Sequence, residues 1–217
     1  YVYGLPAIAS STKVNSTKKY ALGKVNNTVA ESFGYAIKWD GFASAQVLAD
    51  LLQKKITIKR SEHAFILYGE SFPRGSLLVM SSNNKDVDIK KMLREVGDLH
   101  AVKIHTISSG IIEGAKDFGS SDVKTIKAPK VMMLAGEGQR ALNVGEVWHY
   151  FDQQLQYPII LVHPKDISRV KWSEIDVFIM PSGSYSFLKY KKESDMFADW
   201  IRQGGKVIAL ESAVAQL

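Results

Sequence analysis

Short apolar runs alternate along this chain with stretches whose apolar residues recur every three to four positions. That alternation constrains the fold more than any other feature. In the first half, "YAIKWD" (35–40), "ITIKR" (56–60), Ser76 to Met80 and "VKIHTI" (102–107) read as strands. Between them, "ASAQVLADLLQKK" (43–55) sets Val47, Leu48, Leu51 and Leu52 on one helical face, and "VDIKKMLREVGDL" (87–99) has the same period. After the connector "GSSDVKTIKAPK" (119–130) the order restarts with strand "KVMMLAG" (130–136), helix "NVGEVWHYFDQQLQ" (143–156) and strand "PIILV" (158–162). Strand "DVFIMP" (176–181), helix "SDMFADWIRQGG" (194–205) and strand "KVIAL" (206–210) complete it, with Gly204 and Gly205 as a helix stop. Each half reads strand, helix, strand, loop, strand, helix, strand, with no residue identity between the halves.

Helices between successive strands imply right-handed crossovers and parallel sheets. The runs "VMML", "IILV" and "VFIM" suit strands covered on both faces. The expected fold class is therefore α/β, as two flavodoxin-like lobes with parallel sheets. The first would span 1–128, with an irregular polar start over 10–34, and the second 129–217, the boundary falling near Ala128-Pro129. In the helix at 143–156, Val147, Phe151 and Leu155 share a stripe expected to face the sheet, with Trp148 and Phe151 serving packing.

A chain of 217 residues, 46% hydrophobic, has room for one large domain or two small ones. It has no run of about 18 apolar residues, so no membrane span is expected. The net charge of +6 comes from basic residues spread along the chain, densest in "KYKKES" (189–194), which reads as a solvated face and not a nucleic-acid patch. The absence of cysteine excludes disulfides, thiolate metal sites and cysteine nucleophiles, and it suits an exported protein. The start "YVYGLPAIASS" has no basic and then apolar signal and no Met, so a fragment of a longer or processed protein is expected.

Four constellations could carry chemistry. The five histidines, His63, His100, His105, His149 and His163, have no metal-ligand spacing, so no cofactor is expected in this segment. "GEGQRA" (136–141) matches Gly-x-Gly-x-x-Ala between a strand and a helix; it reads as a dinucleotide fingerprint or, more plainly, as a tight turn. "PSGSYS" (181–186) follows a buried strand where α/β sheets place ligands. Ser182, Gly183 and Ser184 are ligand-binding candidates there, because successive backbone N–H groups can form an anion nest; a plain Gly/Ser turn is the alternative. Last, "KVIALESA" (206–213) puts Glu211 and Ser212 at a strand-to-helix turn, where enzymes often present a nucleophile. A serine there needs a base, and His163 and His149 are the histidines in the same half.

The stretch "DVFIMPSGSY…DMFADWIRQGGKVIALESA" resembles the class I glutamine amidotransferase-like superfamily. Pro181-Ser182-Gly183 stands for its Pro-Gly-Gly, Gly205-Lys206 for its Gly-Lys, and Ser212 falls at the position of its nucleophilic Cys. Without that Cys its thiol chemistry does not carry over, and Glu211 and Ser212 would be a vestigial elbow. A wider resemblance joins "FPRGSLLV" (72–79), "GAKDFGSSDVKTIKAPKVMML" (114–134), "NVGEVWHYFDQQLQYPI" (143–159) and "DVFIMPSGSY" (176–185). Together they are similar to the region following the catalytic domain of large bacterial zinc carboxypeptidases, and "YVYGLPAIAS" resembles the junction leaving that domain. The resemblance implies a secreted or periplasmic parent metallopeptidase whose zinc lies in the upstream catalytic domain. This segment would be a non-catalytic accessory region, packing on that domain of the same chain or binding peptide substrate. The alternative is an amidotransferase-like hydrolase using Ser212 or Glu211.

Overall fold

The computed structural model describes residues 11, 12, 25–110 and 117–217. The junction-like start "YVYGLPAIAS", most of the polar stretch at 10–34 and the first residues of the motif at 114–134 lie outside the described residues. In chain order the first half contains β1 (Gly34–Ile37), α1 (Phe42–Gln53), β2 (Lys59–Ser61), β3 (Phe65–Leu67), β4 (Glu70–Phe72) and β5 (Leu77–Met80). It continues with α2 (Ile89–Leu99), β6 (His105–Ile107) and β7 (Val123–Thr125). The second half contains β8 (Val131–Leu134), α3 (Ala141–His149), β9 (Ile159–Val162), β10 (Val177–Met180), α4 (Lys191–Arg202) and β11 (Lys206–Ala209).

The molecule is mixed α/β, and the two halves use different sheets. In the first, the order is β6-β1-β5-β2-β7 and every neighbouring pair is antiparallel. This corrects the expectation of a parallel, flavodoxin-like sheet there. The connection over 62–76 contains no crossover helix. It folds back as the β3–β4 hairpin and returns the chain as β5 beside β2, in the opposite direction. The units β1-α1-β2 and β5-α2-β6 interleave as a split βαβ arrangement.

Both faces of this sheet are covered. Val47 and Leu51 of α1 and Leu93 and Val96 of α2 pack on Tyr35, Ile37, Leu77 and Val79. Beneath, the hairpin sets Phe65, Leu67 and Phe72 against Ala36, Leu78 and Met80, with Phe65 and Phe72 stacked at 4.9 Å between ring centroids. The α2 start is fixed by Asp88, whose carboxylate accepts from the Lys91 N–H at 3.0 Å.

In the second half the order is β9-β8-β10-β11 and all pairs are parallel. Met132, Leu134, Phe178 and Met180 face α4 and its neighbouring turns, where Trp172, Phe187, Phe197 and Trp200 form an aromatic layer. Trp172 lies 5.5 Å from Phe178 and 5.1 Å from Trp200 between ring centroids. The opposite residues, Val131, Met133 and Ile179, meet Val144, Val147, Phe151 and Leu155, joined by Ala49 of α1. The helix expected over 143–156 ends as α3 at His149 and continues as a π-helical turn, Tyr150–Gln154. Phe151 faces the sheet as its spacing predicts, whereas Trp148 is 40% exposed and not packed inside.

Candidate functional site

In the parallel sheet the chain leaves β8 to form β9 on one side, and later returns to form β10 on the other. The point between β8 and β10 is the topological switch, where open α/β sheets leave a crevice at the carboxyl ends of their strands. The loops after β8, β10 and β11 converge there, bringing together "GEGQRA", "PSGSYS" and the Glu211-Ser212 turn.

The loops lock onto one another. The Ser182 side chain is buried, and its hydroxyl lies 2.8 Å from the Ser212 hydroxyl. The Gly183 N–H donates to Ser212 Oγ at 3.1 Å. Gln216 Nε2 donates to the Gly183 carbonyl at 2.6 Å, while its Oε1 accepts from the Tyr185 N–H at 2.9 Å. From the other side, the Arg140 N–H donates to the Ser182 carbonyl at 2.9 Å and the Ser184 N–H to the Gly138 carbonyl at 2.8 Å. A Cβ on Gly183 would stand 2.7 Å from Gln139 Cα and 2.8 Å from the Gly138 carbonyl, so this approach requires glycine. Tyr185 closes the floor by donating its hydroxyl to the Pro181 carbonyl at 2.6 Å, and burial pushes its phenol up.

These contacts decide what the candidates can do. The N–H groups of Gly183, Ser184 and Tyr185 already meet Ser212, Gly138 and Gln216. Of the nest drawn from Ser182, Gly183 and Ser184, the Gly183 and Ser184 N–H groups are thus taken by the chain's own oxygens. In "GEGQRA", the Gln139 N–H turns back to the Gly136 carbonyl at 3.3 Å and the Arg140 N–H is taken, so the loop is built as a tight turn.

Leu210 ends the last strand by donating its N–H to the Met180 carbonyl at 2.9 Å. The next residue, Glu211, has φ 49° and so holds the left-handed position of the turn; Ser212 stands one residue further on. Asn143 Nδ2 donates to Glu211 Oε1 at 3.2 Å. Neither histidine of this half hydrogen-bonds Ser212. His163 Nδ1 accepts from the Lys165 N–H at 3.2 Å, and His149 Nδ1 pairs with Gln154 Nε2 at 3.4 Å.

Among the described residues no three His, Asp or Glu side chains gather as a metal site. His100 lies 3.4 Å from Asp50 and His105 lies 3.1 Å from Glu70, one histidine to each carboxylate. Burial holds both imidazoles below their ordinary pKa. No described helix is long and apolar enough to cross a membrane.

Beside the clamp is a cleft of about 450 Å³, its walls including Glu137, Lys165, Ser184, Ser186, Tyr190 and Glu193. Glu137 and Lys165 form an exposed ion pair at 3.2 Å across it. Of the predicted ligand-binding residues, Ser184 lines this cleft, whereas Ser182 and Gly183 belong to the clamp. Sequence reasoning missed Gln139, Asn143 and Gln216, which pin the loops together. Gln139 lies at a variable position of "GEGQRA" and the other two are lone amides, so no pattern marks any of them as a loop contact. No protein-family model, curated protein or solved structure matches the chain.

Proposed function

We propose that this chain is a non-catalytic accessory region of a secreted or periplasmic zinc carboxypeptidase. In this reading residues 129–217 form a class I glutamine amidotransferase-like, flavodoxin-like lobe, and residues 1–128 form a separate lobe. One observation carries the proposal. Ser212, at the nucleophile position of the resemblance, is hydrogen-bonded to Ser182 and Gly183 and to no imidazole. A serine hydroxyl without a base in reach is a weak nucleophile. The strand order β9-β8-β10-β11 supports the flavodoxin-like assignment, because it corresponds to the order 2-1-3-4 within a doubly wound sheet. In this reading the zinc and its ligands belong to a catalytic domain preceding Tyr1. The lobe packs on that domain, or holds peptide substrate in the cleft beside the clamp.

A second reading, an amidotransferase-like hydrolase, draws on Glu211. Its φ of 49° stores backbone strain at the carboxyl end of a strand, and such strain clusters at functional sites. The full-length reading frame separates the two. A His-x-x-Glu zinc motif upstream of Tyr1 supports the accessory-region reading, and a frame without one overturns it.

A further inference from the structure

Among the described residues the outer edge of β9 is an unfilled strand position. β9 pairs with β8 on one side, and among the described residues no strand lies on the other. Successive residues of a strand turn their backbone groups to opposite sides. The Val162 carbonyl accepts from the Ala135 N–H at 3.0 Å, which turns Val162 and Ile160 toward β8. Ile159 and Leu161 therefore turn their N–H and C=O groups to the open edge.

Edge strands are normally blunted by charge, proline or bulges. The opposite edge of the same sheet, β11, carries Lys206, and the edge strand β7 carries Lys124. β9 is Ile-Ile-Leu-Val, without a charge or hydrogen-bonding side chain along its length. Pro158 and Pro164 stand just outside it and limit pairing to this stretch. The side chains are open as well: Ile160 is 43% and Leu161 48% exposed. Beside Leu161 runs a groove of about 340 Å³ whose lining includes Ala141, Val144, Gly145 and Trp148.

We infer that the β9 edge and this groove form a docking site for an extended, uncharged peptide segment. The segment adds as a strand through Ile159 and Leu161 and seats an apolar side chain between Trp148 and Leu161. Main-chain pairing supplies affinity, and the groove supplies selectivity for an apolar residue. A second copy of the chain fits less well. Four residues at about 3.3 Å each give a short edge, whereas stable dimers bury roughly 1,200–2,000 Å² in total. Two chains of net charge +6 also repel. The inference stands on the edge strand and its groove, independently of the carboxypeptidase reading.

The test is amide hydrogen exchange of the 217-residue chain by NMR. The probe is an N-acetylated, C-amidated Thr-Val-Thr-Val-Thr peptide, and the control is the same peptide N-methylated at alternate residues. The probe is expected to slow exchange of the Leu161 amide about tenfold at a concentration ten times its Kd. It should also shift the Trp148 indole resonance, while the N-methylated peptide does neither. Leu161→Lys, at an exposed position, and Trp148→Ala should each weaken binding, with the remaining amide pattern showing that both variants are folded. Unchanged Leu161 exchange at millimolar probe would overturn the inference. So would Leu161 protection that grows with protein concentration in the absence of probe, which assigns the edge to a second copy.

Discussion

Ser182 and Ser212 carry unequal weight in the clamp. Ser182 is buried with its hydroxyl against Ser212, whereas Ser212 is exposed as a residue and has the Gly183 N–H as an additional partner. Ser212→Ala leaves the buried Ser182 hydroxyl and the Gly183 N–H without this partner, at a cost of roughly 1–3 kcal/mol, whereas Ser182→Ala leaves only the Ser212 hydroxyl, which water reaches and which keeps the Gly183 N–H, a loss of about 1 kcal/mol. Ser212→Ala is therefore expected to lower stability more than Ser182→Ala, measured by denaturant unfolding. Equal effects would show that the clamp is not buried as described. His100 and His105 make a second residue-scale prediction. Burial lowers the pKa of each; at His105 it outweighs the nearby Glu70, with Lys103 and Lys38 acting in the same direction as burial. The unfolded chain then binds more protons, so their contribution is fully present above about pH 6.5 and is lost as pH falls through the folded pKa. Stability should drop as pH falls below about 6.5, and His105→Gln should make the drop shallower. A steeper drop in the variant contradicts this assignment. Small residues in turns after apolar strands made Ser182, Gly183, Ser184, Glu211 and Ser212 legible in the sequence. That Glu211 takes the left-handed position was not, because φ depends on how the loops dock.

The β3–β4 hairpin shows what hides an element from sequence reasoning. Its two-residue turn is Tyr68-Gly69, with φ 51° and 77°, as in the mirror-image turns that suit hairpins. Asn-Gly or Asp-Gly announces such a turn, and Tyr-Gly does not. Tyr68 is held there by its hydroxyl, which accepts from the Ser108 N–H at 2.9 Å, a tertiary contact no local pattern reports. At Gly69 a Cβ would meet nothing, so the left-handed backbone is the sole obstacle to a side chain. Gly69→Ala is expected to cost roughly 1 kcal/mol. Gly119→Ala, in open space and outside the left-handed region, should be near neutral. Comparable losses in thermal unfolding would mean that the hairpin turn is not under this constraint. The helices were easier to read. α1, α2 and α4 lie within three residues of their predicted starts, because each carries an amphipathic period over about three turns. The π-helical turn after α3 gave no signal, since its residues continue the helical pattern.

At the scale of the molecule, one order of elements gives two architectures. Both halves run strand, helix, strand, strand, helix, strand, apart from the inserted hairpin and the added β7 in the first. The difference lies in the loop between the second and third strands of each. Over 62–76 the loop is a hairpin that reverses the chain, and over 163–176 two short 3-10 turns carry it across β8 to lie parallel. Apolar runs do not distinguish the cases. β5, "LLVM", is as buried as β8, "VMML", because helices and a hairpin cover the antiparallel sheet on both faces. The α/β class and the switch-point loops were thus readable from periodicity, and the direction of β5 was not. The central claim is that the switch-point crevice is closed by an inactive elbow. Its most direct measurement is turnover of glutamine, simple esters and aminopeptide substrates by the purified chain, beside Ser212→Ala and Glu211→Gln. The account predicts no turnover above background in any of the three. Turnover by the parent chain that disappears in either variant would contradict it and establish the elbow as a working hydrolase site.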